Sequence, residues 1–233
     1  MFSTSTLYRE DIQHILQSDI PFSMLHDKAV LITGATGLIG TYLVDVLMQK
    51  SIHEKMNIMV YAVGRNIQSA QERFGTYLHE NNFRFIQWDV NTYCPPSVHV
   101  DYIIHAASNT HPKAYASDPV GSILTNLLGL HNILRYGYHT KAERVMFLSS
   151  VEIYGEAWKE EDIFDESYCG YIDCNTLRAG YPEGKRAGES LCQAYIAKYG
   201  MDIVIPRLSR VYGATMRRSD SKAMAQFIWN SVY

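Results

Sequence analysis

The sequence lacks a long hydrophobic run, a basic run and any strong net charge. No window approaches the roughly 18 apolar residues of a membrane-spanning helix, and segment 1–22 carries acids where a signal peptide has a continuous apolar core. The 21 Lys and Arg nearly balance 24 Asp and Glu, for a formal net charge of −3. Because binding to a phosphate backbone favours basic proteins, we do not expect nucleic acid as a partner. Because a long apolar run is missing, we do not expect a membrane either.

Cysteine is also scarce. The chain has four in 233 residues: Cys94, Cys169, Cys174 and Cys192. Cys169 and Cys174 lie close in sequence, but no second pair or histidine follows at zinc-finger spacing. We therefore expect free thiols, no metal site and the reducing cytoplasm as the compartment.

Apolar runs alternate with helical segments along most of the chain. The predicted strands are 28–33, 57–63, 83–88, 101–107, 144–150 and 202–208. Helical spacing of apolar residues predicts helices over 38–50, 118–138 and 181–199, with a more polar one ending near 79. Strands rich in Val, Ile and Leu, without polar alternation, suit a parallel sheet covered on both faces. The pattern predicts a doubly wound α/β fold.

Two segments fall outside this alternation. Residues 1–27 precede the first strand, and Leu7, Ile12, Ile15 and Leu16 suggest a short amphipathic helix packed on the edge of the sheet. Residues 156–180 form a long irregular stretch before the last long helix. Loops of that length are uncommon unless they serve a site.

A glycine-rich turn links the first strand to its helix. Gly34 suits the tight turn, Gly37 lets the backbone approach a pyrophosphate, and Gly40 seats the helix against the strand. The pyrophosphate of a dinucleotide would lie at the helix N-terminus, where unpaired N–H groups favour an anion. We assign the whole turn to the cofactor site: Gly34, Thr36, Gly37, Leu38, Ile39 and Gly40.

The adenosine end of the predicted site has two candidate contacts. Residues 57–66 contain no acid to bind the ribose, and Arg65 can instead stack on adenine or meet a 2′-phosphate. Asp89, followed by Val90, ends the third strand and can accept a hydrogen bond from the adenine amine. These residues leave NAD or NADP open.

Tyr181 and Lys185 stand four residues apart at the start of a predicted helix, so they share one face. A lysine ammonium, together with a cationic nicotinamide ring, would lower the pKa of the tyrosine and let it take a hydroxyl proton. Ser149 and Ser150, at the end of the preceding strand, offer a hydroxyl to the same substrate oxygen.

Further motifs accompany these features between residues 28 and 233. They are His105-Ala106-Ala107-Ser108, Asn126, Ser149-Ser150-Val151-Glu152-Ile153-Tyr154-Gly155 and Arg207-Leu208-Ser209-Arg210-Val211-Tyr212-Gly213. With T-G-x-x-G-x-x-G and Y-x-x-x-K, the chain resembles the extended short-chain dehydrogenase/reductase family of nucleotide-sugar epimerases, dehydratases and decarboxylases. The resemblance implies a Rossmann-type doubly wound parallel sheet.

The resemblance also implies roles for individual residues. Ser150, Tyr181 and Lys185 would be the catalytic triad, and Asn126 would support the geometry of the site. The cofactor site would add Ala106, Ala107, Ser108, Tyr181 and Lys185, and the substrate site would contain Ser108, Ser149, Ser150, Arg178 and Arg210.

The residues after Ser150 distinguish subgroups of the family. Dehydratases carry Asp directly after the hydroxyl residue, where this chain has Val151, and simple epimerases generally lack the acid Glu152. That pattern, with residues 178–186, is similar to the UDP-glucuronate decarboxylases. Arg210 stands where they have Asn; it can hold a diphosphate by charge or indicate another substrate.

The implied reaction oxidises C4 of the sugar transiently. Tyr181 would take the C4 hydroxyl proton, the 4-ketone would promote loss of the C5 carboxylate, and Glu152 would assist protonation at C5. Because the hydride is returned, this cycle favours tightly held NAD, although NADP is not excluded. Alternatives are an epimerase, a 4,6-dehydratase or a reductase of the same family, or an NAD(P)-binding module with little activity.

The resemblance implies a domain organisation. Residues 1–27 would be a helical extension, 28–208 the NAD(P)-binding domain with the catalytic residues, and 209–233 the start of an incomplete C-terminal substrate domain. The helices near 118–138 and 181–199 resemble those that pair in a four-helix dimer interface, so a homodimer is expected.

Overall fold

The computed structural model describes residues 5–110, 117–156, 163–218 and 220–232. A parallel sheet of six strands has the order β3-β2-β1-β4-β5-β7, and β6 pairs with β8 in a separate parallel ladder. The strands are β1 (Ala29–Thr33), β2 (Met59–Gly64), β3 (Phe83–Gln87), β4 (Tyr102–His105), β5 (Arg144–Phe147), β6 (Ser149–Ser150), β7 (Ile203–Val204) and β8 (Arg207–Leu208).

Helices precede, connect and follow these strands. They are α1 (Thr6–Leu16), α2 (Leu38–Glu54), α3 (Ile67–Phe74), α4 (Pro119–Leu124), α5 (Leu130–Thr140), α6 (Gly180–Tyr199) and α7 (Ala223–Val232). A π-helical segment, Thr125–Gly129, joins α4 to α5. Short 3-10 turns cover Phe22–Leu25, Val151–Tyr154 and Leu177–Ala179. No helix in these described ranges is both long and apolar enough to cross a membrane.

Apolar layers cover both faces of the sheet. Along β1, Val30 and Ile32 join the core that contains α2 and α3, whereas Leu31 points into the core that contains α5 and α6. Successive side chains of a strand point to opposite faces, so a strand buried on both sides reads as an unbroken apolar run. The predicted doubly wound, Rossmann-type sheet is confirmed.

Two predicted strands are each broken in two. The stretch 144–150 divides into β5 and β6 around Leu148, and 202–208 divides into β7 and β8 around Pro206. Pro206 has no N–H to donate to a ladder, but its carbonyl oxygen accepts the Ser149 N–H at 2.9 Å. The break leaves β6 paired with β8, next to the candidate site.

The N-terminal helix forms, but it packs on α2 rather than on the edge of the sheet. Ile12 and Leu16 are buried as expected, whereas Leu7 is exposed and Tyr8 takes the buried position. The Tyr8 hydroxyl donates to Asp45 of α2 at 2.5 Å, a polar contact that an apolar pattern does not reveal.

Two other expectations need adjustment. Helix α3 ends at Phe74 rather than near residue 79, because turns occupy the residues that follow it. In the stretch 156–180, residues 157–162 lie outside the described residues. The described part is irregular except for an isolated bridge between Glu156 and Tyr171 and the turn before α6.

Candidate active site

A cleft of about 750 Å³ opens at the carboxyl edge of the parallel sheet. This edge is where α/β folds bind ligands. All the site residues expected from the sequence, except Arg178, line it: Gly34, Thr36, Gly37, Leu38, Ile39, Gly40, Arg65, Asp89, Val90, Ala106, Ala107, Ser108, Ser149, Ser150, Glu152, Tyr181, Lys185 and Arg210.

The glycine-rich turn is shaped by close backbone approaches. Gly34 has φ +65°, and a Cβ there would lie 2.8 Å from the backbone of Ala106; a Cβ on Gly40 would overlap the carbonyl of Gly34. Gly37 is the N-cap of α2 and supplies no side chain to cap it. Backbone N–H groups at this helix start thus face the cleft without a side-chain competitor, which fits the pyrophosphate of a dinucleotide.

At the opposite side of the turn, Arg65 is exposed and Asp89 is half-buried. Asp89 Oδ1 accepts the Asn91 N–H at 3.0 Å, so this carboxylate also holds the turn after β3. Both residues remain on the wall of the cleft.

Of the four residues expected to be catalytic, the three of the expected triad meet at the far end of the cleft, and Glu152 lines the same cleft. Tyr181 and Lys185 lie one turn apart on α6, and both are buried. Tyr181 is hydrogen-bonded to the side chain of Ser150. Lys185 Nζ donates to the Leu148 carbonyl oxygen at 2.7 Å. This bond ties the start of α6 to the break between β5 and β6.

Burial dominates the electrostatics of this trio. It lowers the pKa of Lys185 to about 7, because a buried ammonium loses its hydration. Burial also raises the pKa of Tyr181; the Ser150 hydrogen bond opposes this and the nearby Glu152 charge adds to it. In the protein alone, Lys185 is itself desolvated and gives its hydrogen bond to a carbonyl, and the pKa of Tyr181 is raised. The lowered tyrosine pKa expected from Lys185 together with a nicotinamide ring stays a prediction.

Asn126 holds the wall behind the catalytic helix. It lies in the π-helical segment, fully buried, and its Oδ1 accepts the Ser108 hydroxyl at 2.8 Å while its Nδ2 donates to the Ser122 carbonyl at 2.9 Å. A Cβ on Gly184 of α6 would lie 3.1 Å from the Asn126 side chain. Asn126 thus joins three elements of the site.

Ser149 lines the cleft, but its hydroxyl points elsewhere. Its Oγ donates to Glu189 Oε1 at 2.5 Å, and Glu189 Oε2 accepts from Arg207 Nη2 at 2.9 Å. This pairing raises the pKa of Arg207 above its usual range. The contacts among Ser149, Glu189 and Arg207 connect α6 to the β6–β8 ladder.

Arg178 lies apart from the expected substrate site. It is exposed in the turn before α6 and is absent from the described lining of the cleft.

The cleft also has lining residues after β8 that were not predicted from the sequence, among them Arg217, Asp220 and Lys222. With them, the described lining has five cationic side chains (Arg65, Lys185, Arg210, Arg217 and Lys222) and three acids (Asp89, Glu152 and Asp220). The signal available in the sequence was the density of charge at 217–222. The described residues contain no group of three His, Cys, Asp or Glu side chains placed to hold a metal ion.

Comparison with known proteins finds relatives of about one-third sequence identity. UDP-glucuronic acid decarboxylase 1 of Danio rerio is 33% identical over 201 residues, covering 86% of the chain and 46% of that protein. UDP-glucuronic acid decarboxylase 6 of Arabidopsis thaliana is 33% identical, covering 85% and 55%. The chain therefore spans about half the length of the curated relatives it matches.

Solved structures share the fold. A UDP-glucuronic acid 4-epimerase from Bacillus cereus superposes with TM-score 0.70 at 21% identity, covering 88% of this chain and 63% of that one. A dTDP-glucose 4,6-dehydratase from Streptomyces venezuelae gives 0.72 at 22% identity, covering 88% and 62%. The model of the NAD dependent epimerase/dehydratase family matches residues 30–231, and the chain belongs to that family.

Proposed function

We propose that this chain carries the NAD-binding and catalytic part of a nucleotide-sugar enzyme that decarboxylates UDP-glucuronate. The observation that carries the proposal is one cleft with a glycine-rich turn at one end and Ser150, Glu152 and Tyr181 at the other. The names of the relatives, each about a third identical, support the substrate class.

The backbone of the Gly34–Gly40 turn would hold NAD, which would supply the hydride acceptor for oxidation at C4 of the sugar and the hydride for its later reduction. The residues of this chain handle the protons. Tyr181 Oη takes the proton of the C4 hydroxyl, and the Ser150 hydroxyl orients the same oxygen. Since burial favours the protonated form of Tyr181 in the protein alone, Tyr181 must first release its own proton to solvent before it can act as the base. Positive charge at Lys185 and on a bound nicotinamide ring would favour that ionisation.

The carbon chemistry follows from the 4-ketone. A carboxylate at C5 is then a β-keto acid: the C5–C6 bond breaks, CO2 leaves, and the electron pair forms an enolate that the ketone stabilises. Glu152 lines the cleft close enough to Tyr181 for its charge to act there. We assign Glu152 to the protonation at C5, directly or through water.

The charge of the cleft suits a nucleotide sugar. Its cationic side chains outnumber its acids, which suits ligands that carry phosphates and a carboxylate. In this assignment Arg210 contacts the diphosphate.

The domain organisation belongs to the same proposal. Residues 28–208 would form the cofactor domain with the helical extension 1–27 on α2, and 209–233 would begin a substrate domain. The presence of Ala223, Met224 and Phe227 of α7 on the wall of the cleft supports this division.

We further propose a cytoplasmic homodimer. The four cysteines are free thiols, as is common in a reducing compartment. Four large apolar side chains of α4 and the π-helical segment are exposed next to α6: Val120, Ile123, Leu124 and Leu128. A Leu124→Lys variant should change a dimer into a monomer in light scattering, and a wild-type monomer would contradict the assignment.

The test of function is NMR of UDP-glucuronate incubated with the chain and NAD⁺. Loss of the C6 carboxylate with formation of UDP-xylose or its 4-keto precursor supports the proposal. A Tyr181→Phe variant should form neither product, and Tyr195→Phe, another buried tyrosine of α6, serves as the matched control. Inversion at C4 with the carboxylate retained would instead identify an epimerase.

A further inference from the structure

A guanidinium from the segment after β8 lies on the glycine-rich turn. Arg217 Nη2 donates to the Thr36 carbonyl oxygen at 3.0 Å, and both residues line the cleft. We propose that Arg217 binds the pyrophosphate of the dinucleotide and slows its release. The assignment rests on the proposed function, because it takes the cofactor from there.

The backbone that carries Arg217 is firmly anchored. Thr215 is 1% exposed, and its hydroxyl donates to the Leu38 carbonyl oxygen at 2.7 Å, in the first turn of α2. Arg73 of α3 donates from Nη2 to the Thr215 carbonyl oxygen at 3.0 Å, and Met216 is buried. The segment is thus held against the same helix start that would receive the pyrophosphate.

Among the described residues, no acid neutralises the charge of Arg217. Within the described ranges it forms no ion pair, and it uses one of its five N–H donors on Thr36. Arg207, by contrast, is fully paired with Glu189. Burial lowers the pKa of Arg73, and the positive charge of the nearby Arg217 lowers it further. An anion at the turn would offset this repulsion.

Slow release fits a reaction that returns its hydride. One cofactor molecule then serves many turnovers, so each dissociation is a loss. Arg217 joins the turn to a segment that is about 180 residues away in sequence, and a bound pyrophosphate between them would have to break a charge-assisted hydrogen bond to leave.

The test compares Arg217→Gln with the control Arg218→Gln, which removes the neighbouring charge. The Arg218 guanidinium lies 5.9 Å from the centre of the Trp229 ring. Calorimetry would measure the Kd of NAD⁺, NADP⁺, ADP-ribose and adenosine. We expect Arg217→Gln to weaken NAD⁺ and ADP-ribose about tenfold and adenosine not at all, as for one lost charge-assisted bond. Arg217→Lys should recover part of the affinity, and Arg218→Gln should match wild type.

Three results would overturn the assignment: equal NAD⁺ affinity in Arg217→Gln and wild type, an equal loss for adenosine, or a loss confined to NADP⁺. The last would assign Arg217 to a 2′-phosphate. If wild type decarboxylates UDP-glucuronate while Arg217→Gln binds NAD⁺ normally, only this inference fails. If NAD⁺ binding depends on Arg217 but UDP-glucuronate is left unchanged, the inference stands and the proposed substrate fails. No NAD⁺ binding by wild type would overturn both.

Discussion

The two ends of the cleft are built by different means. At the glycine-rich turn, main-chain shape makes the site: a positive φ, close backbone contacts and a helix start without a side-chain cap. At the catalytic end, side chains make it, with Tyr181 and Lys185 buried and their pKa values shifted by that burial. Substitutions that add side-chain volume should therefore harm the glycine-rich turn most, and substitutions that change charge should harm the catalytic end most.

The largest expected effect is that of a methyl group at Gly34. Its Cβ would lie 2.8 Å from the Ala106 backbone, so Gly34→Ala should lower the free energy of unfolding by about 3 kcal/mol or more. Gly200→Ala is the matched control, since Gly200 has φ +64° with nothing within 4 Å of its Cβ, and strain alone costs about 1 kcal/mol. Equal losses in urea unfolding would show that close packing does not define the turn.

The adjacent serines divide the catalytic end. Ser150→Ala should lower kcat about 100-fold, because the hydrogen-bond partner of Tyr181 is lost. Ser149→Ala should instead cost about 1–2 kcal/mol of stability by releasing Glu189, with kcat little changed. Turnover assays and unfolding curves on both variants test this division. A loss of kcat in Ser149→Ala and a loss of stability alone in Ser150→Ala would assign the substrate contact to Ser149.

The charge of Lys185 should appear in the pH dependence of stability. Its pKa is about 7 in the folded protein and 10.5 when unperturbed, so between these values the unfolded chain binds more protons. The contribution of Lys185 to the free energy of unfolding therefore rises with pH in this range. Relative to Lys185→Met, wild type should gain stability from pH 7 to pH 10. The exposed Lys198→Met should show no such trend, and parallel profiles for wild type and Lys185→Met would contradict the buried charge.

The smallest effect is expected at Arg178. Since it is exposed outside the described lining, Arg178→Gln should change KM less than about twofold. Arg210→Gln, on the wall of the cleft, should raise KM for the nucleotide sugar about tenfold. A larger effect at Arg178 would restore its predicted contact with the substrate.

The sequence predicted those parts of the fold that depend on local pattern. The six parallel-strand regions, the glycine turn and the Tyr181–Lys185 face of α6 all follow from apolar runs and spacing. Pro206 itself signalled the break in its strand, but its effect on β6 depends on a partner 57 residues away in sequence.

Other features depend on tertiary contacts. The position of Arg217 at Thr36 needs the path of the segment after β8, and the inward turn of Tyr8 needs Asp45 on a neighbouring helix. The direction of the Tyr181 pKa shift depends on how deeply α6 is buried, which spacing along one helix does not report.

The π-helical segment has a consequence for the register of the long helix that contains it. One residue beyond the α-helical repeat rotates the rest of the helix by about 100°. Helix α4, before the segment, meets α6, whereas α5, after it, also covers β4 and β5. A single inserted residue thus lets one helix present apolar faces in two directions. Removing one residue from Thr125–Gly129 would rotate α5 relative to α4, so that α4 and α5 could no longer both face the elements they now contact.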